Sequence, residues 1–281
     1  MIKNILKGVV IGLANIIPGV SGGTMAVSMG IYDKLIHCVT HLFKEFKKSI
    51  LFLIPIFLGA GIAVVGLTFV IPILFARFPL QTNLLFIGLI VGGLPAIWKK
   101  VKGNSIRPGY ILAFLIFFAL VAGMAVMGEK EGAAADLSFG LWNVVKLFGV
   151  GVIASATMII PGVSGSMILL LLGYYNPIVT AIKDFITAAV SFDIPGILTG
   201  IGILMPFGIG VVVGIFAIAK LVEILFEKFP LYAYWAIIGL IVASPIGILV
   251  AGELGVINII AVLTSAVTFV IGVFVALKLG Q

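Results

Sequence analysis

Long apolar stretches separated by short polar segments occupy nearly the whole chain. Six of these stretches are uninterrupted, at residues 50–76, 82–98, 109–127, 197–222, 231–250 and 256–278. Because about 20 helical residues cross the hydrocarbon core of a bilayer, each stretch predicts a transmembrane helix. Two further stretches, 8–30 and 145–172, are similarly apolar, but each contains the run Pro-Gly-Val-Ser-Gly, which gathers helix-breaking residues within five positions. The pattern therefore predicts two interrupted segments besides six spanning helices.

An amphipathic pattern follows each interrupted segment. In residues 31–48, apolar side chains recur at helical spacing on one side and lysines lie on the other, with Asp33 as a candidate N-cap. Residues 174–192 repeat the pattern after a helix start at Asn176-Pro177. Helices of this kind lie in the membrane interface. We therefore expect one interfacial helix after each interrupted segment.

The interrupted segments carry the same motif, Ile-Ile-Pro-Gly-Val-Ser-Gly, at residues 16–22 and 159–165, which are 143 positions apart. Further matches follow at offsets of 143 and then 151, pairing residues 30–33 with 173–176, 74–80 with 225–231, and 88–91 with 239–242. Matched broken helices in two halves of a chain are typical of transporters with internal repeats. The chain is therefore predicted to be a single membrane domain, residues 1–281, with repeats at 1–128 and 138–281.

The basic residues predict how the helices are oriented. If the N-terminus is cytoplasmic and both interrupted segments are re-entrant, 13 of the 17 lysines and arginines lie on the cytoplasmic side, where membrane proteins concentrate them. If the first segment crossed once, Lys3 and Lys7 would lie opposite the lysines of residues 34–48. The charges therefore favour re-entrant hairpins. Three crossings separate the two hairpins, so they are expected to enter from opposite faces and meet near the midplane.

The predicted fold is an all-α integral membrane protein built as an inverted repeat. Each half has one re-entrant helical hairpin, one amphipathic helix and three transmembrane helices, an arrangement that supports alternating access. Composition agrees, since 62% of the residues are hydrophobic and only 10% are charged. The net charge of +7 lies in short loops, so it indicates topology and not nucleic-acid binding. We expect a multi-pass plasma-membrane protein with both termini cytoplasmic; the pattern leaves its oligomeric state open.

The tips of the hairpins are the candidate binding site. A half-helix that starts after Pro-Gly-Val-Ser-Gly presents amides without intrahelical partners, and its positive dipole end attracts anions. Glycine lets these amides approach a ligand, and hydroxyl groups add donors. The site suits a phosphate or a carboxylate, although carbonyls of the arriving half-helix could instead hold Na⁺. The candidate residues are Pro18, Gly19, Ser21, Gly22, Gly23 and Thr24 in the first motif, with Pro161, Gly162, Ser164, Gly165 and Ser166 in the second.

Other polar residues near these segments have two interpretations each. Asn15 and Thr157 precede the breaks, where they either cap the arriving helix or contact the ligand. Arg77 and Lys228 precede Phe-Pro-Leu at matched places in the repeats. Each of these two either receives the anionic head group on its own side of the membrane or snorkels at the interface. Cys38, the single cysteine, is predicted to be an inert thiol.

Histidine and glutamate side chains give no clear metal or proton site in the sequence. His37 and His41 have the spacing of metal ligands, but no third ligand is nearby, which favours a solvated helix face. Glu223 is an acid close to the end of an apolar span. It belongs either to a proton relay or, as we favour, to an interfacial pair with Lys220 or Lys228. No catalytic residue, metal site or cofactor is predicted.

The doubled Pro-Gly-Val-Ser-Gly motif, the Gly-x-Tyr-[Asp/Asn] that follows each copy, and the chain length resemble the PopT family of polyprenyl-phosphate transporters. The resemblance implies a flippase, not an enzyme. Such a protein would return the lipid carrier undecaprenyl phosphate from the outer to the cytoplasmic leaflet for cell-envelope synthesis. It also implies that the polyprenyl-phosphate lipid and the bilayer are the partners of the chain.

Other functional classes fit part of the pattern. Membrane undecaprenyl-pyrophosphate phosphatases also use inverted re-entrant hairpins, with a motif that resembles Pro-Gly-x-Ser-Arg-Ser-Gly. This sequence has Gly22 and Gly165 at the arginine position and no cluster of intramembrane glutamates, which argues against catalysis. A transporter or channel for a small soluble anion would need the same tips. A general phospholipid scramblase is a weaker alternative.

Overall fold

The computed structural model describes residues 1–16, 21–67, 70–127, 132–138, 140–251 and 254–280. These residues form helices and connecting turns, with no strand among them. In chain order the helices are Ile2–Ile16 (α1), Gly22–Ser28 (α2), Tyr32–Thr40 (α3), Phe46–Leu67 (α4), Val70–Arg77 (α5), Pro79–Val101 (α6), Pro108–Met127 (α7), Leu141–Ile159 (α8), Gly165–Leu171 (α9), Tyr175–Val190 (α10), Ile194–Lys228 (α11), Pro230–Ala251 (α12) and Ile259–Gly280 (α13).

Seven of the described helices are long and apolar enough to cross a membrane: α4, α6, α7, α8, α11, α12 and α13. The chain is therefore a multi-pass membrane protein. Five of the six uninterrupted stretches each lie within or largely within one helix. Each interrupted segment is a pair of helices, α1 with the short α2 and α8 with the short α9, so the breaks occur where the motifs stand.

One predicted helix length is wrong. The described residues of the stretch at 50–76 belong to α4 and α5, and residues 68–69 lie outside the described part of the chain. The amphipathic helix predicted at 31–48 is shorter, since α3 ends at Thr40 and α4 begins at Phe46. Threonine and histidine are weak helix formers, and they stand together at Thr40-His41, where the chain enters a turn.

The predicted N-cap role of Asp33 is also wrong. The N-cap of α3 is Ile31, which makes no side-chain cap hydrogen bond, and Asp33 lies in the first helical turn. Its carboxylate instead accepts a hydrogen bond from the Tyr234 hydroxyl at 3.0 Å and pairs with Lys100 at 3.5 Å. These partners at the ends of α12 and α6 hold Asp33 away from the cap. The second amphipathic helix, α10, begins at Tyr175, close to its predicted start.

The contacts divide the chain into two compact units. Unit 1 contains Met1–Gly128, Ile160–Val163 and Ala219–Gln281, and unit 2 contains Glu129–Ile159 and Ser164–Ile218. Within unit 1, α1 packs on α4, α6 on α13 and α7 on α12. Both motifs contribute residues to unit 1. The second motif is divided, since Ile160–Val163 belong to unit 1 and its other residues to unit 2.

Glycines bring helix backbones into contact at matched places of the two halves. In unit 1, a Cβ on Gly8 of α1 would meet the carbonyl of Ile56 in α4. In unit 2, a Cβ on Gly151 of α8 would meet the carbonyl of Phe207 in α11. Gly8 and Gly151 are 143 positions apart, and Ile56 and Phe207 are 151 positions apart, which are the offsets found in the sequence. Each half therefore packs its arriving helix on its next long helix in the same register.

A second pair of glycines joins the predicted repeats to each other within unit 1. A Cβ on Gly88 of α6 would meet the carbonyl of Phe269 in α13, and one on Gly239 of α12 would meet the carbonyl of Phe114 in α7. Gly88 and Gly239 are matched positions, 151 residues apart. The middle long helix of each predicted repeat thus packs against the last helix of the other.

The short helices after the motifs end in the same way. Gly30 and Gly173 follow α2 and α9 with φ of +65° and +73°, a left-handed conformation that favours glycine. The next residues, Ile31 and Tyr174, donate their amides to carbonyls five positions back, at 3.0 and 2.9 Å. This is the Schellman motif, which pairs the last carbonyls of a helix and turns the chain. The chain then bends by 105° between α9 and α10.

Candidate functional site

The described part of the first motif is buried in unit 1. Ser21, Gly22, Gly23 and Thr24 are all buried, and Thr24 has no exposed surface. Ser21 is the N-cap of α2, and its Oγ accepts a hydrogen bond from the Gly23 amide at 3.2 Å. An N-cap oxygen satisfies one of the amides that a helix start leaves without a partner. The candidate residues Pro18 and Gly19 lie outside the described residues.

Asn15, on the arriving helix α1, accepts a hydrogen bond from another amide of the same tip. Its Oδ1 accepts a hydrogen bond from the Gly22 amide at 3.1 Å. A Cβ on Gly22 would lie 2.7 Å from that oxygen, so the bond needs glycine at this position. Asn15 therefore bonds to the returning helix, a contact that the sequence did not suggest.

The second motif contributes a tight turn to unit 1. Pro161 and Val163 are buried, and Gly162 between them has a φ of +79°, which favours glycine. The Gly162 amide donates a hydrogen bond to Thr24 Oγ1 at 2.7 Å. The two motifs, 138 residues apart at these positions, are thus in direct contact. Each of the amides of Gly22, Gly23 and Gly162 faces a side-chain oxygen.

In unit 2, the second motif starts α9. Ser164 is its N-cap, and its Oγ accepts a hydrogen bond from the Met167 amide at 3.5 Å. The hydroxyl oxygens of Ser164 and Ser166 are 3.0 Å apart, and Ser166 is exposed. A Cβ on Gly165 would lie 2.7 Å from Thr157 Oγ1. Thr157, like Asn15 in the first half, therefore reaches from the arriving helix to the glycine that starts the returning helix.

Arg77 and Lys228 occupy the same place in the two predicted repeats. Each is the last residue of a helix, α5 or α11, and the next helix begins two positions later at Pro79 or Pro230. Both side chains are exposed. Within the described residues, no ion pair involves either of them, and no hydrogen bond joins either to a motif residue.

Lys7 is a buried cation that the sequence assigned only to the cytoplasmic surface. The residue is 7% exposed, and its Nζ donates a hydrogen bond to the Met29 carbonyl at 2.9 Å. Met29 caps the C-terminal end of α2, where the helix dipole favours a positive charge. The bond fastens the end of α2 to α1. The signal in the sequence is the position of Lys7 directly before an apolar stretch.

Glu223 is the centre of a polar cluster in unit 1. It is buried near the end of α11, and its Oε2 lies 2.6 Å from Lys220 Nζ, one of the two lysines with which the sequence predicted a pair. The Thr40 hydroxyl donates to Oε1 at 2.8 Å. The Nδ1 atoms of His37 and His41 lie 3.6 and 3.2 Å from the same oxygen. The third potential metal ligand, absent from the local sequence, therefore comes from a distant helix.

Comparison with known proteins gives a consistent result. The family described as undecaprenyl phosphate translocase-like matches residues 11–254. A polyprenyl-phosphate transporter of Staphylococcus aureus is 31% identical over 289 aligned residues, which cover 99% of this chain and 95% of that protein. A polyprenyl-phosphate transporter of Vibrio cholerae is 33% identical over 195 residues, covering 64% of this chain and 60% of that protein. No solved structure matches the chain significantly.

Proposed function

Because the chain belongs to the undecaprenyl phosphate translocase-like family, we propose that it moves a polyprenyl phosphate across the membrane. The proposed direction is from the outer to the cytoplasmic leaflet, which returns undecaprenyl phosphate for cell-envelope synthesis. The observation that carries the proposal is the contact of the two motifs through Thr24 and Gly162.

The bond between Lys7 and Met29 supports a re-entrant first hairpin. Lys7 lies near the start of α1 and Met29 at the end of α2, so α2 returns beside the helix that led into the motif. A chain that returns in this way leaves the membrane on the side where it entered. The N-terminus and α3 then lie on the same face. We place both on the cytoplasmic side, because the lysines of residues 34–48 follow the positive-inside rule.

Contacts of α3 support a re-entrant second hairpin. Asp33 pairs with Lys100 at the end of α6, and Thr40 bonds to Glu223 near the end of α11. The ends of α6 and α11 therefore lie on one face. Along the chain, α7 crosses the membrane away from this face and α11 crosses back to it. The segment between these two helices, which contains α8, α9 and α10, therefore makes no net crossing. By this reasoning the second hairpin enters from the outer face, opposite to the first.

The glycine contacts support an inverted repeat. Two halves related by a two-fold axis make equivalent contacts in exchange, as α6 does with α13 and α12 with α7. The opposite entry of the hairpins puts this axis in the membrane plane. We propose repeats at 1–128 and 138–281 within a single membrane domain, with both termini cytoplasmic. Transport would then proceed by alternating exposure of the motifs to the two sides of the membrane.

The amides at the tips are the proposed phosphate site. The amides of Gly22, Gly23 and Gly162 bond to side-chain oxygens at 2.7–3.2 Å. Phosphate oxygens are stronger acceptors of the same kind and can take over these donors, while the freed hydroxyl groups donate to the phosphate. The proposed contacts are the motif residues Pro18, Gly19, Ser21, Gly22, Gly23, Thr24, Pro161, Gly162, Ser164, Gly165 and Ser166.

Arg77 and Lys228 are proposed to receive the head group on the outer and cytoplasmic sides respectively. Their exposed positions at matched helix ends support this role, because each carries a full positive charge without an ion-pair partner among the described residues. The phosphate crosses through the motifs, while the polyprenyl tail remains in the lipid. The motifs hold no arginine, and neither they nor their flanks within the interrupted segments hold a carboxylate, so we propose transport without hydrolysis.

Reconstitution in liposomes tests this function. The purified protein is assayed with a polyprenyl phosphate, inorganic phosphate and phosphatidylglycerol, and the accessible fraction of each is followed with time. We expect rapid exchange of the polyprenyl phosphate between leaflets and no acceleration for the other two. Transport of inorganic phosphate would favour the soluble-anion alternative, and exchange of phosphatidylglycerol would favour a scramblase. Release of phosphate from a polyprenyl pyrophosphate would identify an enzyme instead.

A further inference from the structure

The polar cluster around Glu223 contains three potential metal ligands from two helices. His37 and His41 are one turn apart on α3, and their rings stack with centroids 4.2 Å apart. Their Nδ1 atoms face Glu223 Oε1, and the three ligand atoms lie within 4.8 Å of one another. From this geometry we propose that His37, His41 and Glu223 bind a divalent transition metal of the Zn²⁺ class.

The distances are close to those of a zinc site. Zinc bonds to nitrogen and oxygen are about 2.0–2.2 Å long, which puts neighbouring ligands of a tetrahedron roughly 3.3–3.5 Å apart. The two nitrogen-to-carboxylate distances are 3.6 and 3.2 Å. Two histidines and one glutamate leave the fourth position of a tetrahedron for water. Imidazole and carboxylate together suit Zn²⁺ better than Mg²⁺ or Ca²⁺, which prefer oxygen ligands alone.

The carboxylate is held in place by groups outside the ligand set. Lys220 binds Oε2, which directs Oε1 towards the histidines, and the Thr40 hydroxyl bonds to Oε1. Partners of this kind orient metal ligands in proteins. The side chain of Glu223 is 8% exposed, whereas those of His37 and His41 are 51% and 25% exposed, so the site is open to solvent on the histidine side. An ion can therefore enter from water.

The site is not duplicated, although its ligands come from both predicted repeats. The positions that the repeat matches to His37, His41 and Glu223 are Thr180, Asp184 and Pro72, which are not a set of metal ligands. The metal is therefore separate from the duplicated motifs. It would fasten α3 to the end of α11, two elements more than 180 residues apart.

Metal titration of the full-length protein tests the proposal. The protein is purified without a histidine tag, stripped with a chelator, and titrated with Zn²⁺ in competition with a chromophoric chelator. We expect one equivalent to bind, and Co²⁺ to give the visible absorption of a tetrahedral site. The variants H37Q, H41Q and E223Q should each bind Zn²⁺ more than about tenfold more weakly. Mutation of a residue that only orients a metal ligand already lowers metal affinity by about 10–100-fold.

The matched control is E45Q. Glu45 lies just after α3, where it pairs with Lys48 at 3.4 Å outside the cluster, so Zn²⁺ affinity should not change. Since Glu223 is buried, E223Q can fail to fold; H37Q changes a half-exposed side chain and keeps the test valid. Absence of a stoichiometric Zn²⁺ site in the wild type, or wild-type affinity in H37Q and H41Q, would overturn the proposal.

Discussion

The hydrogen bond between Thr24 and Gly162 gives the sharpest prediction. Thr24 is fully buried, and its Oγ1 accepts the Gly162 amide at 2.7 Å. The substitution Thr24→Val keeps the shape of the side chain but leaves the amide without an acceptor. A buried donor without a partner costs about 1–3 kcal/mol, so the free energy of unfolding should fall by that amount.

Transport should fall as well. In the proposed bound state the Thr24 hydroxyl donates to the phosphate, and a hydrogen bond to a charged group contributes roughly 1.5–3 kcal/mol. Apparent substrate affinity should therefore drop by about 10- to 150-fold in Thr24→Val, since 1.4 kcal/mol is a factor of ten. The assay is leaflet exchange of polyprenyl phosphate in liposomes, with thermal unfolding measured on the same preparation.

Thr24→Ser is the matched variant. It keeps the hydroxyl and loses one methyl group, which costs roughly 0.8 kcal/mol of burial. If the hydroxyl matters, Thr24→Ser should retain most of the transport activity and Thr24→Val should not. Wild-type transport by Thr24→Val, or a larger loss in Thr24→Ser, would refute the reasoning that joins the two motifs in one site.

Three further predictions concern stability and reactivity. Lys7→Met should lower the unfolding temperature, because a buried carbonyl loses its partner at a cost of about 1–3 kcal/mol, whereas Lys3→Met at an exposed position should not. Gly239→Ala should destabilise the protein by forcing the backbones of α12 and α7 apart. Gly123 has open space around it, so Gly123→Ala should stabilise the protein by up to about 1 kcal/mol through the higher helix propensity of alanine. Thermal unfolding measures both the lysine pair and the glycine pair. Burial raises the pKa of the Cys38 thiol, so a maleimide should label it slowly at pH 7 and quickly only after denaturation.

The membrane-spanning helices could be predicted because length and apolarity determine them. The bilayer demands about 20 apolar residues for each crossing, and long helices occur where the sequence has them. The breaks could be predicted from the clustered Pro-Gly-Val-Ser-Gly motif, whereas single prolines such as Pro55 and Pro206 lie inside continuous helices. The end of α3 at Thr40 could not be predicted, because six apolar residues keep a helical spacing from Leu35 to Phe46, across the turn.

Contacts between distant residues had no signal in the local pattern. Asn15 was recognised as polar, but its bond to Gly22, seven residues further on, has no signal in the spacing of the sequence. The approach of Thr24 to Gly162 depends on two motifs meeting in space. The repeat was visible because matched residues recur at fixed offsets, whereas His37 and Glu223 have no counterpart in the other half and could be joined only by the fold.

Labelling of single cysteines from each side of the membrane tests most directly whether the two hairpins enter from opposite faces. Lys44 and Lys183 are exposed residues that follow the first and the second hairpin, Lys44 in the turn after α3 and Lys183 within α10. In a Cys38→Ala background, an impermeant maleimide should reach Lys44→Cys only from the cytoplasmic side and Lys183→Cys only from outside. Labelling of both positions from the same side would contradict the inverted arrangement and the alternating access derived from it.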